Sequence, residues 1–209
     1  MTHFRRIKPG KKTALIMRIA VHFAAILPLL WLFVAIPQGR LGADPVEELT
    51  HYLGIGALRL LFLTLCVSPL AKAMSFGQLL TLRRPLGLWC FVWASLHFAT
   101  WLALDLDFTW SLIGVELLKR TYILIGFAAW LLLTALAITS IPSVLRRMGK
   151  YWKKLHRSIY LITILACLHY WWAVKSGWIE PLAYALIACL LLYLRRKQWL
   201  PRKATAPVN

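Results

Sequence analysis

The sequence predicts an all-α fold, a polytopic membrane protein built as a six-helix transmembrane bundle. Three observations predict it. Of 209 residues, 60% are hydrophobic and only 15% charged, a balance foreign to a soluble domain of this size. The apolar residues gather into six segments near the length needed to cross a bilayer, about 20 residues. The charges between those segments alternate in sign from one side to the other.

The segments run Ala14–Ile36, His51–Ala71, Pro85–Leu104, Thr121–Ile141, Arg157–Val174 and Trp178–Leu194. The first follows a basic start, MTHFRRIKPGKK, without a small-residue cleavage site, and reads as a retained helix. The last two are short and joined by Lys175 to Gly177, which predicts an antiparallel hairpin. The expected organisation is a basic N-terminus (1–13), the bundle (14–194) and a tail (195–209). The loops leave no room for a soluble domain, and no internal repeat is expected.

Basic residues precede segment one, join segments two to three and four to five, and follow segment six. Asp44, Glu47, Glu48, Asp105, Asp107, Glu116 and Glu180 all fall on the other side. The positive-inside rule then places both termini in the cytoplasm. The net charge of +18 is thus a topology signal whose partner is anionic membrane lipid, and no nucleic acid is expected as a partner. Cys66, Cys90, Cys167 and Cys189 lie in apolar runs without CxxC spacing and read as small hydrophobes.

Histidines carry the chemistry. His97 lies 12 residues after Pro85, and His169 lies 12 residues after Arg157. Both segments run from inside to outside, so each imidazole sits about 18 Å in. Imidazole at that depth is costly and points to function. Two facing neutral imidazoles can ligate one haem iron; the alternative is two unrelated core histidines. Trp93, one turn before His97, is a candidate for packing against the haem.

His156 lies 13 residues before His169, at the cytoplasmic edge, and reads either as a ligand of an inner haem or as an interfacial residue. No histidine of the third segment lies at its level. Arg83 and Arg84 are there instead, suited to pairing with haem propionates. His22 is another candidate inner ligand. His51, after the acidic loop LGADPVEELT, is a candidate quinone or partner site, or a plain interfacial histidine. Arg59, inside the second segment, is expected to face a polar partner or a cofactor carboxylate. No dinucleotide fingerprint, P-loop, HExxH or catalytic serine motif occurs, so electrons must enter from elsewhere. The competing class is a small transporter whose histidines and arginines line a proton or solute path.

At LPLLWLFVAIPQGRLGADPVEELTHYLG, RRPLGLWCFVWASLHF and MGKYWKKLHRSIYLITILACLHYWW the chain resembles the MsrQ (formerly YedZ) family. These are the haem-binding membrane subunits of bacterial periplasmic methionine sulfoxide reductase systems. More distantly it is similar to ferric reductases and NADPH oxidases. The resemblance implies an inner-membrane electron-transfer subunit with b-type haem, one or two, and FMN. It implies electrons from quinone or a cytoplasmic flavin reductase, and a periplasmic molybdopterin partner, MsrP. On family grounds His97, His156 and His169 are the haem histidines, and Arg83 stands where the oxidase relatives carry a fourth. A stand-alone ferric or quinone reductase is the nearest alternative.

Overall fold

The computed structural model describes residues 10–174 and 177–199. Every regular element among them is helical: α1 (Lys11–Ala35), α2 (Pro45–Ala73), α3 (Arg83–Thr100), α4 (Trp110–Lys119), α5 (Thr121–Ile138), α6 (Pro142–Met148), α7 (Lys150–Leu155), α8 (Ser158–Ala173), α9 (Ile179–Leu194) and α10 (Arg196–Trp199). A 3₁₀ helix, Gly77–Leu82, leads into α3, and a π-helical segment, Trp101–Asp105, continues it.

Local chemistry sets the boundaries. α2 begins six residues before the predicted segment because Asp44 caps it: its carboxylate accepts from the Glu47 N–H at 3.0 Å. Pro45 takes the first turn, where a missing N–H costs nothing, and Glu47 and Glu48 sit at the positive end of the helix dipole. Between α6 and α7, Gly149 adopts a φ of +52°, which a β-carbon would disfavour, so the chain turns there.

The tightest pairing is α2 with α3, and the next is α5 with α8; α9 packs on α8. Leu61 and Leu65 of α2, Cys90 of α3, Leu133 and Leu136 of α5, Ile162 of α8 and Leu191 of α9 meet in one core. A second core joins α1 to this frame through Leu32, Ala35, Leu53, Ala57 and Trp93. Outward residues of α1 such as Phe23, Leu27 and Phe33 remain exposed, the surface that a lipid-facing helix presents.

Among the described residues, four helical stretches are long and apolar enough to cross a membrane: Lys12–Ala35, Pro45–Ala73, Gly77–Asp105 and Thr121–Ile138. α8 and α9 are 16 residues each, about 24 Å of helix. They are shorter than the segments Arg157–Val174 and Trp178–Leu194, because Val174 is extended and Trp178 only caps α9. The link at Lys175 and Ser176, residues 1–9 with His3, and residues 200–209 of the tail lie outside the described residues. The expectation of short loops missed α4, α6 and α7. α4 crosses the acidic side, and its end is held by an Arg120–Glu116 ion pair at 2.7 Å.

Trp93 shows how closely α2 and α3 approach. It is 4% exposed, its N–H donates to the Ala25 carbonyl of α1 at 3.2 Å, and its ring lies where a β-carbon on Gly56 would be. Gly56→Leu is therefore expected to overpack this contact at a cost of about 1–3 kcal/mol. Thermal unfolding in detergent should show a lowered Tm, and an unchanged Tm would contradict this packing.

Candidate cofactor site between two helical hairpins

The site begins with two backbone carbonyls. On α2, the residue four after Thr50 is Gly54, and on α5 the residue four after Tyr122 is Gly126. A helical side chain leans toward the N-terminus, so a side chain at i+4 would crowd the carbonyl of residue i. Glycine leaves that carbonyl open from the side. A histidine fills each opening. His97 Nδ1 lies 2.8 Å from the Thr50 oxygen, and His169 Nδ1 lies 2.7 Å from the Tyr122 oxygen. A β-carbon on Gly54 would stand 3.0 Å from His97 Nδ1; one on Gly126 would stand 2.6 Å from His169 Nδ1.

A carbonyl only accepts, so each ring must donate through Nδ1–H. In the neutral imidazole this leaves the Nε2 lone pair free for a metal. A second hydrogen bond of this kind is how metal-binding histidines are oriented. The two ring centres are 6.0 Å apart, with planes crossing at 78°. One iron about 2 Å from a nitrogen of each ring sets imidazole centres about 6 Å apart. The spacing suits a shared iron, so His97 and His169 are the residues that would hold a haem here, and the haem would supply one-electron redox chemistry. Among the described residues no cluster of three or more His, Cys, Asp or Glu could hold a metal alone, and a porphyrin needs none. The Tyr122 ring lies beside the pair, its centre 6.1 Å from that of His169.

The two halves correspond. One constant offset of 72 residues carries Thr50 to Tyr122, Gly54 to Gly126 and His97 to His169. Both hydrogen bonds span 47 residues. The same shift superposes Ala57 on Ala129, Leu61 on Leu133, Ala94 on Ala166 and Leu96 on Leu168. The expectation of no internal repeat is corrected: the α2–α3 and α5–α8 hairpins are one motif used twice. The signal in the sequence was a glycine followed 43 residues later by histidine, occurring twice.

Residues 53–167 match the family of ferric reductase like transmembrane components. The chain belongs to this family. A relative from Cronobacter sakazakii (strain ATCC BAA-894), the protein-methionine-sulfoxide reductase heme-binding subunit MsrQ, is 45% identical over 187 residues, covering 88% of this chain and 94% of the relative.

Within this ferric reductase-like chain the other sequence candidates separate. Trp93 lies against α1 and α2, with Tyr52 beside its ring at 5.9 Å. His22 Nδ1 accepts from the Trp89 indole at 2.8 Å. Arg59 finds its polar partner in Tyr184, donating to the hydroxyl at 2.8 Å. His51 is exposed, with its ring 5.9 Å from that of Tyr170.

The inner candidates are held differently. His156 stacks on Trp152 at 4.0 Å, and its Nε2 lies 3.1 Å from the Thr139 hydroxyl. That hydroxyl spends its proton on the Ala135 carbonyl at 2.7 Å, so His156 Nε2 donates. Its tautomer is thus opposite to that of His97 and His169. Loss of solvent around it holds the His156 pKa below the ordinary value, which keeps the ring neutral at pH 7. Arg83 hydrogen-bonds Ser68 of α2, and Arg84 is exposed. Among the described residues no hydrogen bond or ring contact joins His156 to Arg83. Ligation of iron through His156 Nε2 would require that nitrogen to leave Thr139.

The glycines carry a graded prediction. Gly126→Ala forces His169 off its carbonyl, whereas Gly54→Ala asks His97 to yield by a few tenths of an ångström. Bound haem per chain, measured as a pyridine haemochrome, should fall in Gly126→Ala well below Gly54→Ala. Equal retention in both would contradict the role of the open carbonyls.

Proposed function

We propose that this chain is a six-span cytochrome b subunit of a bacterial inner membrane, with both termini cytoplasmic. Its role is to carry electrons from the quinone pool, or from a cytoplasmic flavin reductase, to a periplasmic molybdopterin methionine sulfoxide reductase such as MsrP. The outcome is repair of oxidised envelope proteins. The name of the Cronobacter relative supports this reading, as does membership of a ferric reductase-like family.

The observation that carries it is the His97–His169 pair, 6.0 Å apart with both Nδ1 atoms bonded to backbone. Haem, when bound, supplies one-electron redox chemistry whose potential its ligands and surroundings tune. The chain's part is to fix both imidazoles in one tautomer, hold them without reorganisation and keep the site in apolar surroundings. The same pair supports α8 as a further span: His169 on α8 stands beside His97 on α3, a helix within a stretch long enough to span.

In this reading His97 and His169 hold the outer haem. His156 and Arg83 belong to a second, inner haem, with Arg83 suited to a propionate. Trp93 walls the site on the α1 side. His51 marks the outer edge, where quinone or the periplasmic partner would meet the chain. FMN remains part of the reading by resemblance, without assigned residues.

Reduced-minus-oxidised spectra test the ligation. His97→Ala and His169→Ala should each remove the same haem signal and abolish quinol-driven reduction of methionine sulfoxide by the partner subunit. Wild-type haem content and spectra in both variants would refute the assignment. Efficient reduction of ferric chelates by the wild type, with no electron delivery to the partner, would favour a stand-alone reductase.

A further inference from the structure

The middle of α2 carries a charge. Arg59 is the central residue of this 29-residue helix, and its side chain is exposed. A guanidinium at the middle of a spanning helix is costly and marks function. Its Nε donates to the Tyr184 hydroxyl of α9 at 2.8 Å. Among the described residues its terminal nitrogens make no hydrogen bond, and Tyr184 is a neutral phenol that leaves the charge in place. The Tyr184 oxygen accepts from Arg59, so its own O–H remains free to donate. Phe62 of α2 stands beside the Tyr184 ring at 6.0 Å.

A second phenol meets the first. Tyr170 of α8 lies edge-on to Tyr184, with ring centres 5.6 Å apart and planes at 90°. Tyr170 is 8% exposed, and its hydroxyl is buried without a hydrogen-bond partner. A buried hydroxyl left in that state is costly. Arg59 and Glu180 both lie within electrostatic reach of it, Glu180 being exposed in the first turn of α9. The exposed His51 ring stands 5.9 Å from that of Tyr170. Tyr170 directly follows His169, and His51 directly follows Thr50, whose carbonyl holds His97. This cluster and the histidine pair therefore share one level of the bundle.

Three donors, the free N–H groups of Arg59 and the two phenols, thus converge between α2, α8 and α9 at a surface open to lipid. They call for a membrane-soluble ligand with oxygen acceptors. A phospholipid phosphate stays at the membrane surface, whereas Arg59 lies about 21 Å along α2. A quinone ring offers carbonyl oxygens on a planar, apolar body, and a carbonyl accepting from a guanidinium forms a charge-assisted bond. Its reduced form donates instead, and Glu180 and His51 are acceptors within reach. We propose that Arg59, Tyr170 and Tyr184 bind the head group of a quinone that enters from the lipid, with His51 and Glu180 at the outer edge of the site. The choice of ligand rests on the quinone reading above; the donor set itself does not.

Titration calorimetry of quinone-depleted protein in mild detergent tests the site, using a ubiquinone and a menaquinone that each carry a single isoprene unit. Arg59→Gln and Tyr184→Phe should each weaken binding about tenfold or more, and Tyr170→Phe about threefold. Tyr193→Phe, at the far end of α9, should bind as the wild type does. Thermal unfolding reports the folding of each variant, and haem is measured separately as a pyridine haemochrome. Wild-type affinity in folded Arg59→Gln, Tyr184→Phe and Tyr170→Phe would overturn the proposal. Loss of co-purified phospholipid from these variants, with no quinone binding by the wild type, would also overturn it and assign the donors to a lipid. Quinone bound at these residues by a wild type without haem would uphold the site and sink the haem reading. Haem in a wild type that binds neither quinone would sink the site and leave the histidine pair standing.

Discussion

The bundle is organised around two backbone carbonyls that accept a hydrogen bond from outside their own helix. A helical carbonyl already serves the N–H four residues on, and its second lone pair is normally hidden by side chains. At Thr50 and Tyr122 the following turn holds a glycine, and an imidazole N–H from the partner helix enters. Each such bond fixes a distance, a rotation and a tautomer at once. The close α2–α3 and α5–α8 pairings and the ring nitrogen that each backbone bond leaves free are parts of one constraint.

That constraint is met twice, in two hairpins related by a single sequence offset. Both first helices, α2 and α5, start on the acidic side, and both histidine-bearing helices, α3 and α8, return toward it. The halves are therefore repeats whose corresponding helices run in the same sense, an arrangement known in other membrane folds. A site between such halves is lined by equivalent groups. The halves diverge toward the basic end. There His156 is stacked and donating, and the matching corner of the first hairpin holds Arg83 and Arg84.

Much of this was legible in the sequence, for identifiable reasons. Hydropathy located the long helices because lipid imposes one length and one polarity. Charge segregation indicated which helices run in the same direction, and equal spacing put His97 and His169 at one depth. What escaped depended on contacts. The Asp44–Pro45 start of α2 was visible as a capping pattern but lay under an acidic loop. α4 is too short and too mixed to register against a spanning criterion. Thr50 and Tyr122 act through backbone oxygen, which no side-chain motif reports. Gly54 and Gly126 became meaningful only once the rings they admit were placed. Arg195 read as a tail charge because burial at a helix C-cap has no sequence signature.

The crossed imidazoles have a mechanical consequence. Each ring is pinned to its own hairpin by one hydrogen bond, and the two planes cross at 78°. Movement of one hairpin against the other would therefore change the distance and angle between the rings. Each imidazole would travel with its own hairpin, so the geometry between the rings is tied to how the two hairpins are packed.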